Sequence, residues 1–161
     1  MRFNIFAFIV STAWLFGPTA GQCFEIEHRQ DFASPAGQSV VLRILSTADT
    51  DLFAPLIRSF QATNPKVAVT YHEVSSTELM RALQEERAPY DIAVSSAMDL
   101  QTKLANDGLA LAHQSAATKL LPGWGKWRDH LFAFTQEPAT IVISKKAFEN
   151  IKIPQTRQDL I

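Results

Sequence analysis

Cysteine is almost absent: Cys23 stands alone among 161 residues. No disulfide framework can form within the chain, and a four-cysteine zinc site is excluded. Glycine is scarce, six in all, which rules out collagen-like and glycine-rich repeats. Neither sign of charge dominates, since 15 Lys and Arg face 16 Asp and Glu, a formal net charge of −1. Such a balance gives no electrostatic reason to bind nucleic acid or an anionic membrane surface. What is present is 47% hydrophobic and 19% charged. That is enough apolar material for one ordinary domain with a core, and too little charge for a disordered tail.

Residues 1–21 differ from the rest. Arg2 and the amino terminus form a short positive region, Ile5 to Phe16 is almost wholly apolar, Gly17-Pro18 breaks the run, and Thr19-Ala20-Gly21 supplies small residues. This is the layout of a secretory signal peptide, with cleavage expected after Gly21 and Ala20 as the alternative. The apolar run falls short of the roughly 20 residues that a spanning helix needs. The alternative is a buried N-terminal helix. Gln22 stands before Cys23 where a lipoprotein signal would place a small residue, so lipid anchoring is disfavoured. Residues 22–39 are mostly polar, with Pro35 and Gly37, and read as an N-terminal arm.

From residue 40 a pattern repeats. Val40 to Leu45 is a short β-branched and apolar run, as suits a strand buried on both faces. Residues 46–51 follow, dense in helix N-cap types, and then Leu52, Phe53, Leu56, Ile57 and Phe60 at helical spacing until Asn64-Pro65. Pro55 is expected in or near the first turn. Val67 to Tyr71 is a second strand, and Ser75 with Glu78 is a capping box opening a second helix. Asp91 to Val94 is a third strand, with Ser96 and Asp99 as another box and Asn106-Asp107-Gly108 as a helix stop. The alternation predicts an α/β fold with a mainly parallel open sheet flanked by helices. Beyond Gly108, Leu131–Thr135 and Thr140–Ser144 resemble strands and Lys145–Asn150 a short helix. Thr156 with Asp159 announces another helix five residues before Ile161, so the chain reads as truncated inside an element.

Two Ser/Thr-rich strand ends are the candidate site: Ser46-Thr47 and Ser95-Ser96. Ligands of open parallel sheets bind beyond the carboxyl ends of the strands. Hydroxyls there, with free N–H groups opening helices, suit a small polar or anionic ligand. Alternatively these hydroxyls only cap their helices. No catalytic constellation competes. Ser95 lacks the glycines of a nucleophile elbow, and His28, His72, His113 and His130 show no paired metal-ligand spacing. No metal, cofactor or enzymatic activity is expected. His72 reads as partly exposed, Trp124 and Trp127 as packing residues, and Glu137-Pro138 as a loop between strands.

These segments, taken in order, resemble a family. Leu45-Ser46-Thr47-Ala48-Asp49, Phe53-x-Pro55-Leu56-Ile57-x-x-Phe60 and Asn64-Pro65-x-Val67 carry the first part. Ser95 to Gln101, Lys103-Leu104-x-Asn106-Asp107-Gly108, Leu121-Pro122, Trp127-Arg128 and Glu137-Pro138-Ala139 complete it. The stretch from Val40 to Ile161 is similar to the periplasmic solute-binding proteins of bacterial ABC importers, in the extracellular group that includes ferric-iron-type binders. The resemblance implies two α/β lobes joined by crossing strands, with residues 40–161 supplying most of the first. It implies a periplasmic location, a small-molecule solute and an ABC permease as partner; a sensory module acting on a receptor kinase is the alternative. Family ligand groups fall on Ser46, Thr47, Ser95 and Ser96, and on Glu137 and Ala139. The paired tyrosines of ferric binders belong to the second lobe, so the resemblance implies no iron site in this chain.

Overall fold

The structure, a computed structural model, describes residues 24–138, 140, 142–144, 146 and 152–160. The expected signal peptide, Cys23, Ala139 and most of Lys145–Asn150 lie outside the described residues. The chain divides into two compact units after Leu111.

The first unit is built on a four-stranded sheet. Its strands are β1 (His28–Phe32), β2 (Val40–Ser46), β3 (Val67–Glu73) and β4 (Ile92–Val94), in the order β1-β3-β2-β4. β2 runs parallel to both neighbours, β3 and β4. β1 closes the edge antiparallel to β3. The stretch read as a polar arm therefore contributes a strand, and Phe24 beside it is a core residue, 4% exposed. Its polar side chains mislead because an edge strand is held by its backbone and only Phe32 of β1 is buried.

Helices cover both faces. Ile44 and Leu45 are neighbours on β2 and so point to opposite sides. Ile44 packs with Phe32, Ile57, Val69 and Tyr71 beneath α1 (Thr50–Thr63). Leu45 packs with Phe24, Val74, Leu79, Ala82 and Leu104 beneath α2 (Ser76–Met80) and α3 (Met98–Asn106). α2 continues as one wider π turn over Arg81–Glu85. α3 stops at Gly108, whose φ of +76° is the left-handed value expected of a C-terminal glycine.

Several local expectations shift. α1 begins at Thr50, so Pro55 lies inside it rather than in its first turn. The backbone N–H that Pro55 lacks would have reached Asp51, and both residues are exposed, so water can serve that carbonyl. Ser75 Oγ accepts from Glu78 N at 3.2 Å, but the Glu78 carboxylate accepts from Glu25 N at 2.8 Å, so only half of the expected box forms. Ser96 and Asp99 do not cap α3, because Ala97 holds the N-cap position.

In the second unit, α4 (Ala116–Leu120) is opened by a Ser115–Thr118 capping box. A hairpin of β5 (Lys126–Trp127) and β6 (Leu131–Phe132) follows. Its turn sets Arg128 and Asp129 at φ of 50° and 57°. Trp124 and Trp127 are exposed, 61% and 42%, so they do not pack as expected; the Arg128 guanidinium lies 5.2 Å from the Trp127 ring centre. The expected strand at Leu131–Thr135 is only two residues long, and Thr140 and Val142–Ser144 form no strand. Asp159 accepts from Gln155 N and Thr156 N, both at 2.9 Å, opening a short 3-10 turn over Arg157–Leu160.

Two buried polar side chains tie the first unit together. Gln61, on α1, donates through Nε2 to the carbonyls of Phe32, Ala33 and Val67 at 3.2, 3.1 and 2.9 Å. One amide thus links α1 to β3 and to the end of β1. Replacing it leaves carbonyls buried without donors, which costs about 1–3 kcal/mol. We expect Gln61→Ala to lower the urea midpoint with little change in slope. An unchanged midpoint would contradict the assignment.

His72 lies on the opposite face of β3 from Tyr71 and is buried, not partly exposed as its sequence suggested. Its Nδ1 meets the Tyr90 hydroxyl at 2.6 Å, while Nε2 is buried with no hydrogen-bond partner among the described residues. Burial and, to a smaller degree, the Arg29 charge push its pKa below the usual histidine value, and Asp31 partly opposes them. A histidinium there would carry its charge in a buried setting that water cannot solvate. The folded chain therefore takes up this proton at lower pH than the unfolded chain. Stability from neutral His72 is complete above about pH 6.5 and is lost as pH falls toward the folded-state value. Urea unfolding between about pH 7.5 and 5.5 should show falling stability, with a smaller fall in His72→Gln. Equal slopes in both proteins would contradict this role.

Candidate functional site

The parallel register sets the site. Ser46 pairs with Glu73 across β2 and β3, and with Val94 across β2 and β4. The carboxyl ends of three strands thus finish side by side. Beyond them the chain turns into α1, α2 and α3.

Each expected residue at this rim has a distinct place. Ser46 is fully buried, 0% exposed, and its Oγ accepts from Ala48 N at 3.0 Å. It shapes the turn after β2 and presents no surface to a ligand. Thr47 and Ser95 are half-buried, and Thr47 Oγ1 donates to Ser95 Oγ at 3.1 Å. Thr47 N also donates to Val94 O at 3.0 Å, closing the gap between the two strand ends. Ser96 is exposed beside them. Glu137 lies in the second unit, exposed and outside regular secondary structure.

Two further residues complete the rim, and sequence reading missed them. Tyr71 is fully buried, and its hydroxyl donates to Ala48 O at 2.8 Å, pinning the turn that carries Thr47. Burial pushes the Tyr71 phenol up, opposed by a hydrogen bond with Ser46 and reinforced by the charges of Glu73 and Asp49. Glu73 shares the face of Tyr71. Its Oε2 accepts from Thr50 N and from Thr50 Oγ1, both at 3.0 Å. The cap of α1 therefore comes from a neighbouring strand; Asp49, at the N-cap position, makes no side-chain capping bond. The signal was alternation: residues 71 and 73 share one face of a strand, and 73 ends it.

The arrangement is a rim of hydroxyls and carboxylates at strand ends, suited to hydrogen bonding and without a nucleophile–base pair. Among the described residues no group of three or more His, Cys, Asp and Glu is placed to hold a metal ion. No helix of the described residues is long and apolar enough to cross a membrane.

Comparison with known proteins agrees with this architecture. The profile of the family described as bacterial extracellular solute-binding protein matches residues 45–161. Among solved structures, the chain is similar to the substrate binding protein of the ABC transporter from Agrobacterium tumefaciens, at 36% sequence identity and a TM-score of 0.68. That match covers 82% of this chain and 41% of the other, so the chain spans about two-fifths of that protein's length. A search of curated proteins finds no match. With its mainly parallel sheet, helices on both faces and a family profile spanning most of its length, the chain belongs to the bacterial extracellular solute-binding proteins.

Proposed function

We propose that the chain supplies one wall of a periplasmic solute-binding protein, capturing a small polar solute for an ABC permease. The observation that supports this reading most is the Thr47–Ser95 hydroxyl pair, which joins two parallel strand ends at the rim where open α/β sheets take ligands. The family and the structural relative point the same way. Thr47, Ser95 and Ser96 are the contact residues in this reading. Ser46 acts beneath them, and Glu137 and Ala139 are further contacts carried by the family resemblance alone. Capture is non-catalytic, and affinity comes from closing two walls on the solute. This chain alone is therefore expected to bind weakly or not at all.

Export is part of the proposal. Mass spectrometry of the protein from its own bacterium should find an N-terminus near Gln22, and soluble protein retaining Met1 would contradict export. For capture, deletion of the gene should reduce uptake of one solute in a panel. A gene carrying Thr47→Val with Ser95→Ala should restore uptake with apparent affinity weakened about tenfold, or ~1.4 kcal/mol. Full uptake in the deletion strain, with loss of solute-dependent gene induction instead, would favour a sensory role over import.

A further inference from the structure

The segment that leads into β1 is fastened at every step. Phe24 is 4% exposed and packs with Leu45 of β2, Val74 just after β3, Leu79 of α2, Ala82 of the π turn and Leu104 of α3. Its ring also meets Tyr90 edge-on, 6.3 Å between centres. Glu25 N donates to the Glu78 carboxylate at 2.8 Å, Ile26 packs against the same cluster, and Glu27 N donates to Glu73 O at 2.9 Å. β1 then pairs along its length, from His28 with Glu73 to Phe32 with Val69. Segments near chain ends are loose unless something ties them down. Here a buried aromatic ring does so.

The expected processing site lies right against this anchor. With cleavage after Gly21, only Gln22 and Cys23 stand between the scissile bond and Phe24. Two residues, fully extended, span about 7 Å. A single helix with its side chains is wider, about 10–12 Å. A peptidase must grip the chain on both sides of the bond, and cleavage falls on segments free of packing and hydrogen bonds. The bond after Gly21 is therefore out of its reach while Phe24 is seated. Cleavage after Ala20 adds one residue, about 3.5 Å, and leaves the same conflict.

We propose that the Phe24 seat is an autoinhibitory contact against leader removal, so that cleavage comes first and docking of Phe24 and β1 follows it. A chain that folds with its leader attached is a poor substrate, cut only while residues 24–32 are undocked. The seat also reaches the rim. Leu45 directly precedes Ser46, and Val74 directly follows Glu73. The core beneath the strand ends is complete only with Phe24 in it. This rests on the export reading and adds to it an order of events.

The test uses the full chain, leader included, in detergent micelles, with cleavage by signal peptidase of the same bacterium followed by mass spectrometry. The refolded chain is compared with the same chain diluted from urea straight into the enzyme. A third sample is a refolded variant with about eight Gly and Ser residues inserted between Cys23 and Phe24, which leaves the seat filled and adds roughly 15 Å of reach. The refolded wild-type chain should be cut about tenfold more slowly than either of the others, or slower still. Phe24→Ala, which empties the seat, should also be cut faster; because it weakens the core as well, the insertion variant carries the test. Equal rates for the refolded wild-type chain and the insertion variant would overturn the proposal. So would a urea-diluted chain cut no faster than the refolded one. If no form is cut near Gln22, the urea-diluted chain included, both this proposal and the export reading fall.

Discussion

The parallel pairing of β2 with both β3 and β4 is the constraint on which the rest depends. It places Ser46 level with Glu73 on one side and with Val94 on the other. Side chains that are far apart in sequence then finish at one rim. Because strand side chains alternate, a slip of one residue would turn every side chain of the strand to the other face. Leu45 would leave its cluster with Leu79 and Leu104, and Ile44 would leave α1. Burial on both faces of β2 thus sets the register, and the register sets the rim.

Polar satisfaction then decides what the rim can do. Opening three helices beside three strand ends exposes many backbone N–H groups. Elsewhere such groups hold ligands, but here Ser46, Glu73 and Ser95 have bound several of them first. Tyr71 fixes the turn from below by its bond to the Ala48 carbonyl. The result is a rim whose turns are held in place by the chain's own side chains. Gln61 performs a similar service deeper down, joining α1 to carbonyls that sheet pairing leaves unmet.

The fold was largely legible because its signals were local. The β-branched run at 40–45, the punctuation at Asn64-Pro65 and the stop at Gly108 each act within a few residues. What failed was what depends on distant partners. β1 looked polar because edge pairing uses backbone and not side chains. The cap of α1 comes from Glu73, twenty-three residues away from Thr50, and spacing within the helix could not reveal it. His72 seemed half-exposed on strand alternation alone, yet Tyr90 from a later loop covers it. Ser46, Thr47, Ser95 and Ser96 were correctly seen as strand-end residues; that Ser46 is sealed beneath the others follows from packing that no motif encodes. In the second unit the hydropathy of 131–144 suggested strands, but only Leu131–Phe132 pairs, because a strand needs a neighbour as well as a propensity.

The most direct test of the account is a crystal structure of this protein with its solute bound. The account predicts solute density against Thr47, Ser95 and Ser96, at the carboxyl ends of β2 and β4, with Ser46 beneath and out of contact. Solute bound instead at the amino ends of the same strands, around Val40 and Val67, would contradict it.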